Sequence, residues 1–125
     1  MACKLTPRPG SPPVTPGPPP SGPTDFNAKK NAEITVFVDS DSGTVHLTAA
    51  RINGTKITLD ANEKATFKVP DPTNFLDLGF VAADPTEIFR IKEDCGGGDS
   101  QVLRTWRTQP FTPGGPTAEI RIHTT

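Results

Sequence analysis

Tyrosine is absent from this sequence, and tryptophan and methionine occur once each. Aromatic residues make up 6% of the 125 positions and hydrophobic residues 33%. So little apolar material bounds the chain to one domain with a modest core. Two cysteines, Cys3 and Cys95, are too few for a disulfide framework. No apolar run approaches the ~20 residues of a membrane span. Residues 1 to 25 lack the apolar stretch of a secretory signal, so no export signal is expected. The formal net charge of -1 argues against nucleic acid as the main partner, because phosphate binding needs a clustered positive surplus.

What the chain has in excess is proline, with 15 residues unevenly placed. Pro7, Pro9, Pro12, Pro13, Pro16, Pro18, Pro19, Pro20 and Pro23 all precede Asp25. Proline fixes φ and removes a donor, so residues 1 to 25 are expected as an extended polyproline II arm preceding a β domain over 26 to 125. The arm is either a solvated linker or a contact element. In the second case Pro7, Pro9, Pro12, Pro13, Pro18, Pro19 and Pro20 are its partner-binding residues. Cys3 has three open fates: pairing with Cys95 if the arm folds back, a thiol independent of Cys95, or modification. Met1-Ala2-Cys3, a small residue before cysteine followed by a Pro/Gly/Ser tether and a β domain, resembles a mature bacterial lipoprotein. That resemblance implies a lipid on Cys3 and a place in the cell envelope.

The domain reads as strands throughout. Ile34, Val36 and Val38 alternate with polar neighbours, as do Val45, Leu47 and Ala49, which is the pattern of a strand with one buried face. Asn53-Gly54 supplies the positive-φ pair of a two-residue hairpin turn. The apolar set shifts from odd to even positions at Ala49-Ala50, which predicts a β-bulge there. With that bulge Leu47 faces Leu59 and Val45 faces Ala61 on a returning strand. Ala65, Phe67 and Val69 are expected to add a third strand, with Phe67 beside Leu59, completing a meander. Pro70 to Asn74 then reads as a crossover between sheets. Leu76, Leu78 and Phe80 form the next strand, Ile88, Phe89 and Ile91 another, with a flexible loop from Glu93 to Asp99. Val102, Arg104 and Trp106 are expected on one face of a strand, opposite Leu103, Thr105 and Arg107. Ala118, Ile120 and Ile122 close the domain. About eight short strands without a convincing helix predict an all-β, immunoglobulin-like antiparallel sandwich.

Few residues suggest chemistry. Asp39-Ser40-Asp41-Ser42-Gly43 resembles a calcium loop, which makes Asp39 and Asp41 weak calcium candidates, but the same residues build ordinary turns. Cys95 with His46 or His123 makes a conceivable nucleophile and base, with no local motif around it. No C-x-x-C or H-x-x-x-H spacing offers zinc a chelate. The triple glycine after Cys95 lacks the lysine of a phosphate loop and is flanked by acidic residues. Asn53-Gly54-Thr55 is a formal glycosylation sequon explained by its turn. Trp106 between Arg104 and Arg107 is a binding patch for protein or sugar if exposed. The chain is therefore expected to be no enzyme and to need no cofactor. The leading expectation is a structural subunit on the outside of a larger particle, such as a phage capsid decoration protein or a surface filament. It would sit on a virion or cell surface, bound to copies of itself or to another subunit. A lipoprotein tethered through Cys3 is the alternative, and a carbohydrate-binding module the weaker one.

Overall fold

The computed structural model describes residues 3–8, 25–41, 43–82, 88–107 and 117–125, of which the side chains of 82, 106, 107 and 117–119 are outside the description. All described regular structure is β. Ten strands run in chain order: β1 (Thr6–Pro7), β2 (Asp25–Ala28), β3 (Glu33–Ser40), β4 (Val45–Ile52), β5 (Thr55–Ile57), β6 (Ala65–Lys68), β7 (Thr73–Ala82), β8 (Ile88–Gly96), β9 (Asp99–Arg107) and β10 (Thr117–Thr124). They form a six-stranded sheet, β1-β2-β10-β7-β4-β5, and a four-stranded sheet, β6-β3-β8-β9. Pairing is antiparallel except between β2 and β10, which run parallel.

The two sheets bury one shared core. Leu76, Leu78 and Phe80 on β7 and Phe89 and Ile91 on β8 are all 1% exposed or less. Phe80 and Phe89 meet across the sheets with ring centroids 4.7 Å apart at a tilt of 55°, a favoured aromatic geometry. The inward positions alternate along β7 and β8 as the hydrophobic pattern requires. Asn74 is the polar exception on β7. It is fully buried, but its amide nitrogen donates to the carbonyls of Asp71 (2.8 Å) and Ile122 (3.1 Å). Its oxygen accepts from the Asp71 amide and the Asn53 side chain. A buried amide so satisfied costs little.

The hairpin of β4 and β5 has the two-residue turn that Asn53-Gly54 calls for, with φ of 52° and 82° and Ile52 opposite Thr55. The bulge is real but lies one step earlier, between Leu47 and Ala49, and it faces β7 rather than β5. It turns Leu47 and Ala50 both inward and leaves Ala49 exposed. The expected meander is corrected beyond Ile57. Leu47 pairs with Phe80, not Leu59, and Phe67 pairs with Ile34 in the other sheet. The cause is Asp60. Its carboxylate accepts the amides of Asn62 (2.8 Å) and Lys64 (2.9 Å), and Glu63 takes a φ of 61°. This side-chain-capped loop ends the strand and carries the chain between sheets. The crossover at Pro70 to Asn74 then returns it to the first sheet, as expected.

At the other end of the domain the expected loop from Glu93 is also corrected. β8 continues to Gly96, and only Gly97 and Gly98, with φ of 62° and 85°, turn the chain into β9. The two faces expected of β9 do not separate cleanly either. Ile91 pairs with Arg104 and Lys92 with Val102, so Leu103 is an extra residue, and Leu103, Arg104 and Thr105 are buried in succession.

The N-terminal residues join the sandwich. β1 pairs with β2, Pro7 opposite Phe26, and the Arg8 amide donates to the Asp25 carbonyl at 3.2 Å. Leu5 is 1% exposed within the core. The parallel β2–β10 pair is fastened at its end by Asp25, whose carboxylate accepts from Arg121 (3.0 Å) and meets His123 Nε2 (2.8 Å). Replacing Leu5 by alanine should cost about 2–4 kcal/mol of stability by chemical denaturation, the usual range for a filled core site. A loss under about 1 kcal/mol would mean that the N-terminal segment is not part of the core.

Candidate functional site

The most heavily built polar site lies where the N-terminal segment crosses β8. Strand alternation points Phe89, Ile91, Glu93 and Cys95 all inward. The last two inward positions thus carry a carboxylate and a sulfur. Cys95 is bonded to Cys3 with their Cα atoms 4.7 Å apart. Of the open fates for Cys3, the structure has the fold-back. A Cys3 sulfur in this bond has no thiol to carry a lipid.

Glu93 is 1% exposed, and every partner it has there is a donor. The amides of Lys4 (3.0 Å) and Leu5 (3.2 Å) donate to its two oxygens. Gln101 Nε2 donates to Oε1 at 2.6 Å and also to the Leu5 carbonyl at 2.7 Å. An acceptor-only set of contacts is what an ionised carboxylate needs when removed from water. Around this point a surface cavity of about 230 Å³ opens beside Glu33, Glu93, Asp94 and Cys95. A larger one, about 500 Å³, lies beside Cys3, Lys4, Lys29 and Lys30. The Lys4 ammonium donates to the Glu33 carbonyl at 2.7 Å.

Asp94, outward between Glu93 and Cys95, ties the site to the neighbouring loop. Its carboxylate accepts from Lys64 Nζ at 2.8 Å and from the Gly96 amide at 3.0 Å. Both hydrogen bonds hold its pKa below the ordinary value, the Lys64 bond most strongly. Lys64 in turn lies 5.1 Å from the centroid of the Phe37 ring.

The other residues singled out from the sequence do not converge. Asp39 accepts from Lys92 at 2.9 Å and Asp41 from Arg90 at 2.8 Å. Each candidate calcium ligand is thus turned to its own cation on β8. Arg104, part of a binding patch only if exposed, is 6% exposed, and burial lowers its pKa. The side chains of Trp106 and Arg107 lie outside the described residues. His46 contacts Glu63 at 3.0 Å and His123 contacts Asp25 at 2.8 Å. Neither stands as a base beside Cys95, whose sulfur is bonded. Pro7 is exposed and paired in β1, while Pro9, Pro12, Pro13, Pro18, Pro19 and Pro20 lie outside the described residues. The sequon asparagine, Asn53, spends its amide on Asp71 and Asn74 and its oxygen on the Phe75 amide, a turn-building role. Glu93 and Gln101 were missed by sequence reasoning. The signal was present in the alternation Phe89, Ile91, Glu93, Cys95, but two acidic residues before a triple glycine look like a loop.

No protein-family model matches the chain, and no curated protein or solved structure matches it either. Two outcomes follow from the geometry. Cys95→Ser should lower stability by about 3–5 kcal/mol in denaturant titration, because the bond closes a loop with a sequence separation of 92. Asp94 has its pKa depressed by folding, so it stabilises the fold at neutral pH and loses that effect as pH falls through its folded value. Asp94→Asn should therefore lower the melting temperature at pH 7 and leave a shallower acid limb in a plot of Tm against pH. An unchanged limb would remove Asp94 from the acid response.

Proposed function

We propose that this chain is an immunoglobulin-like sandwich acting as a non-enzymatic assembly subunit on the outside of a larger particle, a capsid or surface filament, with residues 9–24 as its docking element. The strand pairings support the fold reading. β3–β6, β4–β7, β7–β10 and β4–β5 correspond to the B–E, C–F, F–G and C–C′ pairs of that architecture. The β8–β9 hairpin is then an insertion between F and G that lies beside B.

One observation carries the functional reading. Pro7 and Arg8 at one end of the proline-rich stretch and Asp25 and Phe26 at the other are paired side by side. The two ends of that stretch are thus held together, and the first is secured by the Cys3–Cys95 bond and by Glu93. Proline has few conformations to lose, and closure removes more, so docking costs less order than it would for a loose tail. A disulfide of this kind is compatible with the oxidising surroundings of a virion or cell surface.

The reading also says which contacts to discount. The edges of both sheets are poor templates for joining copies by strand addition. β1 has two residues including proline, β5 three and β6 four. β9 is longer but carries a bulge and the inward Arg104. Short strands, bulges and inward charges are how sheets resist edge pairing.

The test is to replace residues 9–24 with glycine and serine at equal length. The domain should keep its unfolding free energy to within about 1 kcal/mol. In extracts of the source, the unsubstituted chain should sediment with particles far larger than its own 13.3 kDa, and the replaced chain should not. Continued sedimentation of the replaced chain, or a free unsubstituted chain in those extracts, would sink the proposal.

A further inference from the structure

We propose that when the Cys3–Cys95 bond is opened, Cys3, Cys95 and Glu93 become a binding site for a zinc-class divalent cation. Their ligand atoms already lie within 4.8 Å of one another. Glu93 and Cys95 stand two residues apart on the inward face of β8, an i, i+2 arrangement that points both donors the same way. Cys3 is delivered from across the sheet by the N-terminal segment, and its Cα is 4.7 Å from that of Cys95.

The surroundings are those of a metal ligand set rather than of an isolated disulfide. The Glu93 carboxylate is oriented by three donors, the amides of Lys4 and Leu5 and the amide side chain of Gln101. Fixing a ligating carboxylate by hydrogen bonds of this kind is what tunes metal affinity. Only one of those bonds goes to Oε2, which leaves a lone pair for a cation. The cavity of about 230 Å³ lined by Lys4, Glu33, Glu93, Asp94 and Cys95 has three carboxylates to one ammonium and gives room for a water as a further ligand. Two thiolates with one carboxylate favour zinc over magnesium or calcium, which take oxygen alone.

The chemistry balances with a dithiol reductant. The S–S bond breaks as two electrons and two protons pass to Cys3 and Cys95, and the reductant becomes a disulfide. The cation then displaces one proton from each thiol, two metal–sulfur bonds form, and two protons go to solvent. The cation so bound would hold the same segment against β8 that the disulfide holds.

Cobalt(II) is the probe. The full chain is reduced, freed of reductant without oxygen, and titrated. One equivalent should produce thiolate-to-cobalt charge-transfer absorption, and zinc should displace it. The oxidised chain should show none. Glu93→Gln should weaken cobalt binding roughly tenfold or more, and zinc should slow maleimide labelling of both cysteines in the unsubstituted chain. A reduced chain without the thiolate band would overturn the proposal, as would a Glu93→Gln chain that binds as tightly as the unsubstituted one. If reduction unfolds the chain, zinc must restore its β circular dichroism, and failure to do so is equally fatal.

Discussion

A carboxylate taken out of water between two sheets has to be answered by donors, or the fold loses several kcal/mol to its desolvation. Glu93 is 1% exposed, and the nearest donors that meet it are the amides of Lys4 and Leu5 together with Gln101. The N-terminal segment is therefore required by the interior, not draped on it. Once Lys4 and Leu5 are fixed, Leu5 fills the core, Cys3 reaches Cys95, and Thr6–Pro7 lies against β2. The covalent bond at Cys3 and the buried carboxylate at Lys4 and Leu5 act on adjacent residues. The bond restricts the unfolded chain, while the carboxylate makes a detached segment costly in the folded one.

That arrangement holds the two ends of the most unusual stretch of the sequence together. Arg8 and Asp25, which flank that stretch, lie side by side on one sheet edge. Parallel pairing of β2 with β10 then ties the return point to the last strand, with Asp25 meeting both Arg121 and His123. The beginning and end of the domain are thus secured on the same edge, through β2.

Local alternation was enough to find β3, β4, β7, β8 and β10, because each has a buried face read every second residue. The switch of phase in β4 even announced its bulge. Sequence reading failed where a side chain, rather than the hydrophobic pattern, decides the path. Asp60 falls between the apolar positions Leu59 and Ala61 of the expected returning strand, yet it accepts hydrogen bonds from the Asn62 and Lys64 amides that end the strand and send β6 to the other sheet. Glu93 was counted as loop because acidic and glycine-rich sequence usually is one. Its burial depends on two amides 89 and 88 positions away. No local pattern encodes a partner at that distance. For the same reason the sequence leaves open whether Cys3 pairs with Cys95.

The edges show how the remaining surface is constrained. A sandwich with open edges risks adding strands from neighbours. Here the first sheet ends in β1 and β5, each only a few residues long, and the second in β6 and β9. β9 is the one edge long enough to matter, and its Leu103 bulge breaks the regular spacing of ladder groups while Arg104 turns inward. A copy pairing along β9 would have to follow an irregular edge beside a buried guanidinium. Specific contacts are better served by an element that carries its own shape and little conformational freedom. Such an element can be added to an edge-protected domain without reopening the edges, provided that both of its ends are secured. The Glu93 and Cys3–Cys95 staple secures the first of those ends and Asp25 the second, so the interaction that completes the core also fixes where the proline-rich segment begins.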